Sequence, residues 1–171
     1  MDLRGLNVLQ GKNYRIGSGM ATTSKKFLPG TPNIKIARFA TGVGRTDYNV
    51  KLRLVSTEKV QIRHNAIEAA RVAANKRISD GVTDYFLEVV LYPHIILREN
   101  KMIATAGADR LQEGMRKAYG KPTGLAARVK IGGVIMELSV MNPNLTQAIE
   151  SLKVAASKLP APMKIEKTIL N

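Results

Sequence analysis

The residue pattern predicts an α+β fold, a single domain with a mostly antiparallel sheet and two main helices. Three observations support this. "YNVKLRLVS" (Tyr48–Ser56) alternates apolar and charged residues as a half-buried strand does. Two longer stretches keep a helical apolar period, and short apolar runs bounded by Gly and Pro fill most of the remainder. With 44% hydrophobic residues in 171, the chain has enough apolar sequence to bury a core.

Residues 1–46 read as a basic N-terminal arm, and residues 47–171 as the core. Gly5, Gly11, Gly17, Gly19, Gly30, Gly42 and Gly44, with Pro29 and Pro32, break any regular period in the arm. Only "NIKIARFA" (Asn33–Ala40) alternates as a strand, with Ile34, Ile36 and Arg38 on one face. In the core, Val50, Leu52 and Leu54 are expected inside, and Lys51 and Arg53 outside. A helix is expected from Glu58 to Ile78, N-capped by Ser56 or Thr57. Its expected buried stripe is Ile62, Ala66, Ala69, Ala70 and Ala73, and so much alanine implies close packing on a sheet. "DYFLEVVLYPHIILRE" gives strand pieces at Tyr85–Tyr92 and His94–Leu97, divided at Pro93. "GLAARVKIGGVIMELSVM" reads as a hairpin turning at Gly132-Gly133. A second helix has Asn142 as N-cap and Pro143 at its first position, with Pro160 beyond its end. "MKIEKTIL" is the closing strand.

Between the strands lies "NKMIATAGADRLQEGMRKAYGKP" (Asn100–Pro122), which begins with small and polar residues that fit neither period. Asp109 and Gln112 form a capping box for a helix from Arg110 to Tyr119, with Leu111, Met115 and Ala118 inward and Gly120 at its end. Residues 100–110 would then form a projecting loop, able to reach about 17 Å if folded out and back.

Charge narrows the function. The chain has 27 Lys+Arg against 13 Asp+Glu, a net charge of +14. Residues 1–46 hold eight basic and one acidic residue, and residues 97–130 hold eight and three, so most of the excess sits in two segments. Such charge repels itself, and a polyanionic partner explains it. With no cysteine, disulfides and thiolate zinc sites are excluded. Two histidines and scattered carboxylates offer no ligand cluster at metal spacing, and no cofactor is implied. His64 is expected on an exposed helix face and His94 in a structural role, which leaves an enzyme without an acid–base pair. No GxxxxGK[ST] loop is present, and "GVGRTD" lacks the third glycine of a dinucleotide fingerprint. No long apolar run or signal-like block appears, so a soluble intracellular protein is expected.

Nucleic-acid binding must work through phosphates and shape. There is no GXXG loop, and three Phe, five Tyr and no Trp give no evident platform for stacking bases. That leaves a folded RNA grasped by Lys, Arg and backbone amides. The rival reading is a basic adaptor for some other structured RNA or an anionic membrane, although no basic helix here has the large apolar face a membrane requires.

"QIRHNAIEAARVAANK" and "LYPHIILRENKMIATAGADRLQEGMRKAYGKPTGLAARVKIGGVIM" closely resemble the archaeal and eukaryotic large-subunit ribosomal protein family L-ten-e, related to bacterial L-sixteen. The resemblance is dense from Val50 to Leu159. "NYR" (Asn13–Arg15) and "FLPGTPNIKI" look like the family's upstream signatures, while residues 1–12 and "GSGMATTSKK" depart from its pattern. The absence of a long C-terminal extension points to an archaeal source.

The resemblance implies an α/β hammerhead-type fold in the cytoplasmic ribosome, with no membrane and no homo-oligomer. It implies binding to large-subunit rRNA beside 5S rRNA and the aminoacyl- and peptidyl-tRNA sites, among neighbouring ribosomal proteins. Support of tRNA placement and of late subunit assembly would follow. The loop matching Lys101, Met102, Ile103, Ala104, Thr105, Ala106, Gly107, Ala108, Asp109 and Arg110 would face tRNA. Arg98, Lys101, Arg110, Arg116, Lys117, Lys121 and Arg128 would contact RNA, with Arg63 and His64. The arm's Arg15, Lys25, Lys26, Lys35 and Arg38, and Asn100 at the loop's root, complete the expected RNA-binding set. None is catalytic.

Overall fold

The computed structural model describes residues 28–45, 47–99 and 120–170. Along the chain come β1 (Ala40–Gly42), β2 (Val50–Ser56), β3 (Val60–Arg63), α1 (His64–Ser79), β4 (Tyr85–Val89) and β5 (Ile95–Glu99). Then follow β6 (Lys121–Val129), β7 (Val134–Val140), a 3-10 turn (Asn142–Asn144), α2 (Leu145–Ala156) and β8 (Met163–Ile169). All pairings among these strands are antiparallel, so the architecture is α+β, with two α-helices among the described residues.

The strands form a five-stranded sheet, β1-β4-β7-β2-β8, and a three-stranded sheet, β3-β6-β5. Within the larger sheet, β2-α1-β4 and β7-α2-β8 interleave in the spatial order β4-β7-β2-β8, a split β-α-β arrangement. The smaller sheet is assembled from two insertions into that body, β3 ahead of α1 and β5–β6 between β4 and β7.

Alternation dictates the large sheet's two faces. Val50, Leu52 and Leu54 are fully buried, in register with Val140, Leu138 and Met136 of β7. Lys51 and Arg53 point the other way and both meet Glu137, Arg53 Nε donating at 2.8 Å. The helices pack against each other over the same core. Ala70 and Ala74 of α1, with Ala148 and Ala155 of α2, are buried there, so the close packing expected on a sheet is made chiefly against the other helix. Ser151, buried in α2, donates its hydroxyl to the Ala74 carbonyl at 2.8 Å.

Several expected elements are corrected. The first helix begins at His64 rather than Glu58, because Val60 and Ile62 pair with Val129 and Ala127 as a strand. Its buried face is His64, Ile67, Ala70, Arg71, Ala74 and Ile78. Of the expected stripe only Ala70 remains buried on the helix; Ala69 is exposed, and Ile62 is buried from the strand. The Gly132-Gly133 turn forms, closed by Gly133 N donating to Lys130 O at 3.0 Å, but it does not join a hairpin. β6 and β7 lie in different sheets, and the turn is tied instead to Ser56 at the end of β2. Asn33–Phe39 form no ladder; the strand begins at Ala40, against Glu88. Ile36 is nevertheless buried, so residues within the segment read as an arm lie on the core. Pro143 sits in a 3-10 turn that precedes α2, with no side-chain cap on either.

Candidate nucleic-acid interface

The small sheet is where cations most outnumber acids. Its strands carry Arg63, Arg98, Lys121 and Arg128 against Glu99 alone. The large sheet carries Lys51, Arg53, Lys164 and Lys167 against Glu88, Glu137 and Glu166. Glu88, Glu137, Arg53 and Glu166 lie in one cross-strand row, and Lys51, Arg53 and Lys164 are held in ion pairs.

Register places the small sheet's cations. Val60, Ile62, Ala127 and Val129 face the core, which turns Gln61, Arg63, Ala126 and Arg128 to the opposite face. Arg63 pairs with Ala126 and Gln61 with Arg128, so the two arginines are diagonal neighbours, a geometry of about 7–8 Å between backbones. Arg128 Nε donates to Gln61 Oε1 at 3.4 Å. At the other end, Arg98 stands opposite Pro122 and Glu99 opposite Lys121. The register shifts between Leu97 and Arg98, and that irregularity accommodates Pro122, which has no N–H to give the ladder. From Lys121 to Arg128 is a strip of about 24 Å.

A strap brings two further cations alongside α1, Lys35 and Arg38. Residues 34–41 run along α1: Ala37 N donates to Glu68 Oε2 at 3.3 Å, and Arg71 Nη1 to Thr41 Oγ1 at 3.4 Å. Arg71 grips Glu68 through Nε at 2.9 Å and Nη2 at 2.6 Å. Those hydrogen bonds hold the Glu68 carboxyl below the usual carboxylate range, against the burial that raises it. The strap presents Lys35 and Arg38 to solvent, Lys35 near the start of α1.

His64 differs most from expectation: it is 2% exposed, not on a solvated face. Burial first, then the charges of Lys35 and Arg63, hold its imidazole below the usual range, so it is neutral at pH 7. His94 is exposed, with Nδ1 3.1 Å from the Tyr92 carbonyl.

The structure therefore brings together Lys35, Arg63 and His64, sets Arg128 beside Arg63, and places Arg98 and Lys121 at the two ends of residues 100–119. Arg38 is exposed on the strap. Arg15, Lys25, Lys26, Asn100, Lys101, Arg110, Arg116, Lys117 and the whole 101–110 loop lie outside the described residues. Residue patterns did not reveal the strap's hydrogen bond from Ala37 to Glu68 or the role of Gly124 against His64, since these join chain-distant positions; the Glu68–Arg71 pair, at i,i+3 spacing on α1, was open to a reading from helical spacing and was missed. They also missed an aromatic pair: Phe39 and half-exposed Tyr92 stack at 5.8 Å, 20° from parallel.

Among the described residues no group of three His, Asp or Glu could hold a metal, and no helix is long and apolar enough to cross a membrane. Fold and charge thus define the class: a basic α+β protein whose small sheet carries four cations against one acid, with Lys35 and Arg38 exposed on the strap beside α1. The chain matches the family model described as "Ribosomal protein L16p/L10e" over residues 18–166, and it belongs to that family. Among its relatives, each named "Large ribosomal subunit protein uL16", that of Staphylothermus marinus is 53% identical over 154 residues, 89% of this chain and 88% of that one. That of Sulfolobus acidocaldarius is 50% identical over 165 residues, 94% of each chain. That of Metallosphaera sedula is 48% identical over 169 residues, 92% of this chain and 97% of that one. These relatives are archaeal, and the family is one of structural proteins, not enzymes.

Proposed function

We propose that this chain is a structural constituent of the large ribosomal subunit in the cytoplasm, and that it binds large-subunit rRNA through its small sheet and flanking basic segments. The observation that carries this is the likeness, at about half identity along nearly the whole chain, to proteins named for that subunit. The cation distribution supplies the means: Arg63, Arg98, Lys121 and Arg128 on one sheet, with Lys35 and Arg38 alongside, neutralise phosphates and release their counterions. A small sheet appended to a split β-α-β body supports a hammerhead-type description. In this reading the arm, with Arg15, Lys25 and Lys26, follows the rRNA. The loop at residues 101–110 faces the aminoacyl- and peptidyl-tRNA sites near 5S rRNA, where it supports tRNA placement and late assembly.

Binding to purified large-subunit rRNA tests the reading across a salt series. If about eight cations meet phosphates, log K falls against log salt with a slope of about −6 to −7. A slope near zero refutes it.

A further inference from the structure

α1 begins without a cap. Arg63, in the N-cap position, makes no side-chain cap hydrogen bond, and no acidic residue stands in the first turn of this 16-residue helix. Its first N–H groups, at the positive end of the helix dipole, therefore have no anion supplied by the chain's own first turn. Basic side chains gather around that end instead. Lys35 comes in on the strap, held there by the Ala37–Glu68 hydrogen bond one turn further along. Arg63 has its Nε buried with no acceptor, and His64 has its Nδ1 buried with no partner. Nε2 of the same imidazole faces Gly124, where a Cβ would sit 3.4 Å away, so the glycine leaves a notch over that nitrogen.

Neighbouring buried polar groups without partners are uncommon in folded proteins, and each calls for an explanation. A neutral imidazole here costs least with its proton on Nε2, because an unpaired acceptor at Nδ1 is better tolerated than an unpaired donor. The cluster is then rich in donors and poor in acceptors: the His64 Nε2–H, the Arg63 guanidinium, the Lys35 ammonium and the first helical N–H groups. Glu68, the nearest carboxylate along α1, is already engaged by Arg71 and Ala37.

We propose that the start of α1, with Lys35, Arg63 and His64 beside the Gly124 notch, is a binding site for one phosphate group of an RNA backbone. This deepens the rRNA-binding reading and rests on it. A phosphate is the anion that fits, since several oxygens radiating from one centre meet donors arriving from a helix end, a strand end and a strap at once.

The full chain has two histidines, so its imidazole NMR signals report the site directly, with His94 as internal control. Titration with inorganic phosphate at constant ionic strength is expected to shift His64 saturably and raise its pKa, leaving His94 unmoved. Gly124→Val fills the notch at a backbone position that accepts a branched side chain. It is expected to abolish the His64 response, to weaken binding of purified large-subunit rRNA about tenfold, and to reduce the salt slope by about 1. Lys35→Gln, at an exposed side chain, is expected to act in the same direction without burdening the fold. Equal responses of both histidines overturn the site. So do unchanged rRNA affinity and slope in both variants while the wild type keeps its steep salt dependence, an outcome that leaves rRNA binding itself intact. A flat salt dependence of the wild type overturns the rRNA-binding reading and this site with it.

Discussion

Glu68→Ala is expected to release the strap that carries Lys35 and Arg38 and to lower stability by about 2–3 kcal/mol. The magnitude follows from what the carboxylate does. It accepts two hydrogen bonds from Arg71, at 2.6 and 2.9 Å, and one from Ala37 N at 3.3 Å. Arg71 is 9% exposed, so losing Glu68 strands a mostly buried guanidinium with two donors unpaired. Charge-assisted hydrogen bonds contribute about 1.5–3 kcal/mol each, and breaking a fully buried pair costs about 3–5 kcal/mol. This pair lies at the core's margin, with side chains 11% and 21% exposed, where water can partly replace the lost partner; hence the lower figure. For a chain of this length the midpoint should fall about 5–10 °C. The pH dependence has a definite sign. The folded-state pKa of Glu68 is lowered, chiefly by the Arg71 hydrogen bond. Its contribution is therefore complete above the unfolded value, about 4.3, and is lost as pH falls through the lower folded value. Thermal unfolding by circular dichroism at pH 7 and below pH 4, at one ionic strength, measures both. Equal midpoints at pH 7, or a gap of the same size at both pH values, refutes the reasoning, and hydrogen exchange at the Ala37 amide checks the strap itself.

Gly42→Ala should detach β1: with φ at +101°, an added Cβ would run into the Tyr85 carbonyl, at a cost of about 2 kcal/mol or more, read as lost exchange protection at Val43 N. Ser151→Ala removes the buried hydroxyl that bridges α2 to the Ala74 carbonyl and should cost about 1 kcal/mol in urea unfolding, with an unchanged m-value. Deleting residues 103–108 should leave the thermal midpoint within about 2 °C, because the Glu99–Lys121 pairing that fixes both ends of the segment remains, yet impair translation by reconstituted subunits.

The strands with unambiguous alternation were legible. β2 and β8 fall where the pattern puts them, and so does the inward set Val50, Leu52 and Leu54. α1 was misjudged at its start because Val60–Gln61–Ile62–Arg63 satisfies period two over four residues while merging into the helical period beyond. The diglycine marks a turn correctly, but a turn does not specify what its flanking strands pair with. β6 finds β3 and β5 rather than β7, a choice made by the whole core. The cation excess on the small sheet could be read from charge density, whereas the burial of His64 could not. Its neighbours in sequence, Arg63 and Asn65, are polar, and what lies against its ring is Gly124, sixty positions away.

The net charge of +14 is not spread over the molecule as a uniform burden. On the large sheet, cross-strand register sets Glu137 beside Lys51 and Arg53, and Glu166 meets Lys164 along β8, so three of the sheet's four cations are held in ion pairs. The small sheet's strands carry four cations against Glu99 alone. Arg63 and Arg128 sit diagonally on one face with no carboxylate in the β3–β6 ladder between them, and Arg63 also crowds a buried His64 with Lys35. Burial of Arg63 Nε and His64 Nδ1 without partners raises the energy of the free protein. In the proposed reading, an RNA phosphate would supply the missing acceptors and offset that cost. The small sheet is therefore the part of the fold whose stability should rise most when RNA binds, and the large sheet the part that keeps the chain folded until it does.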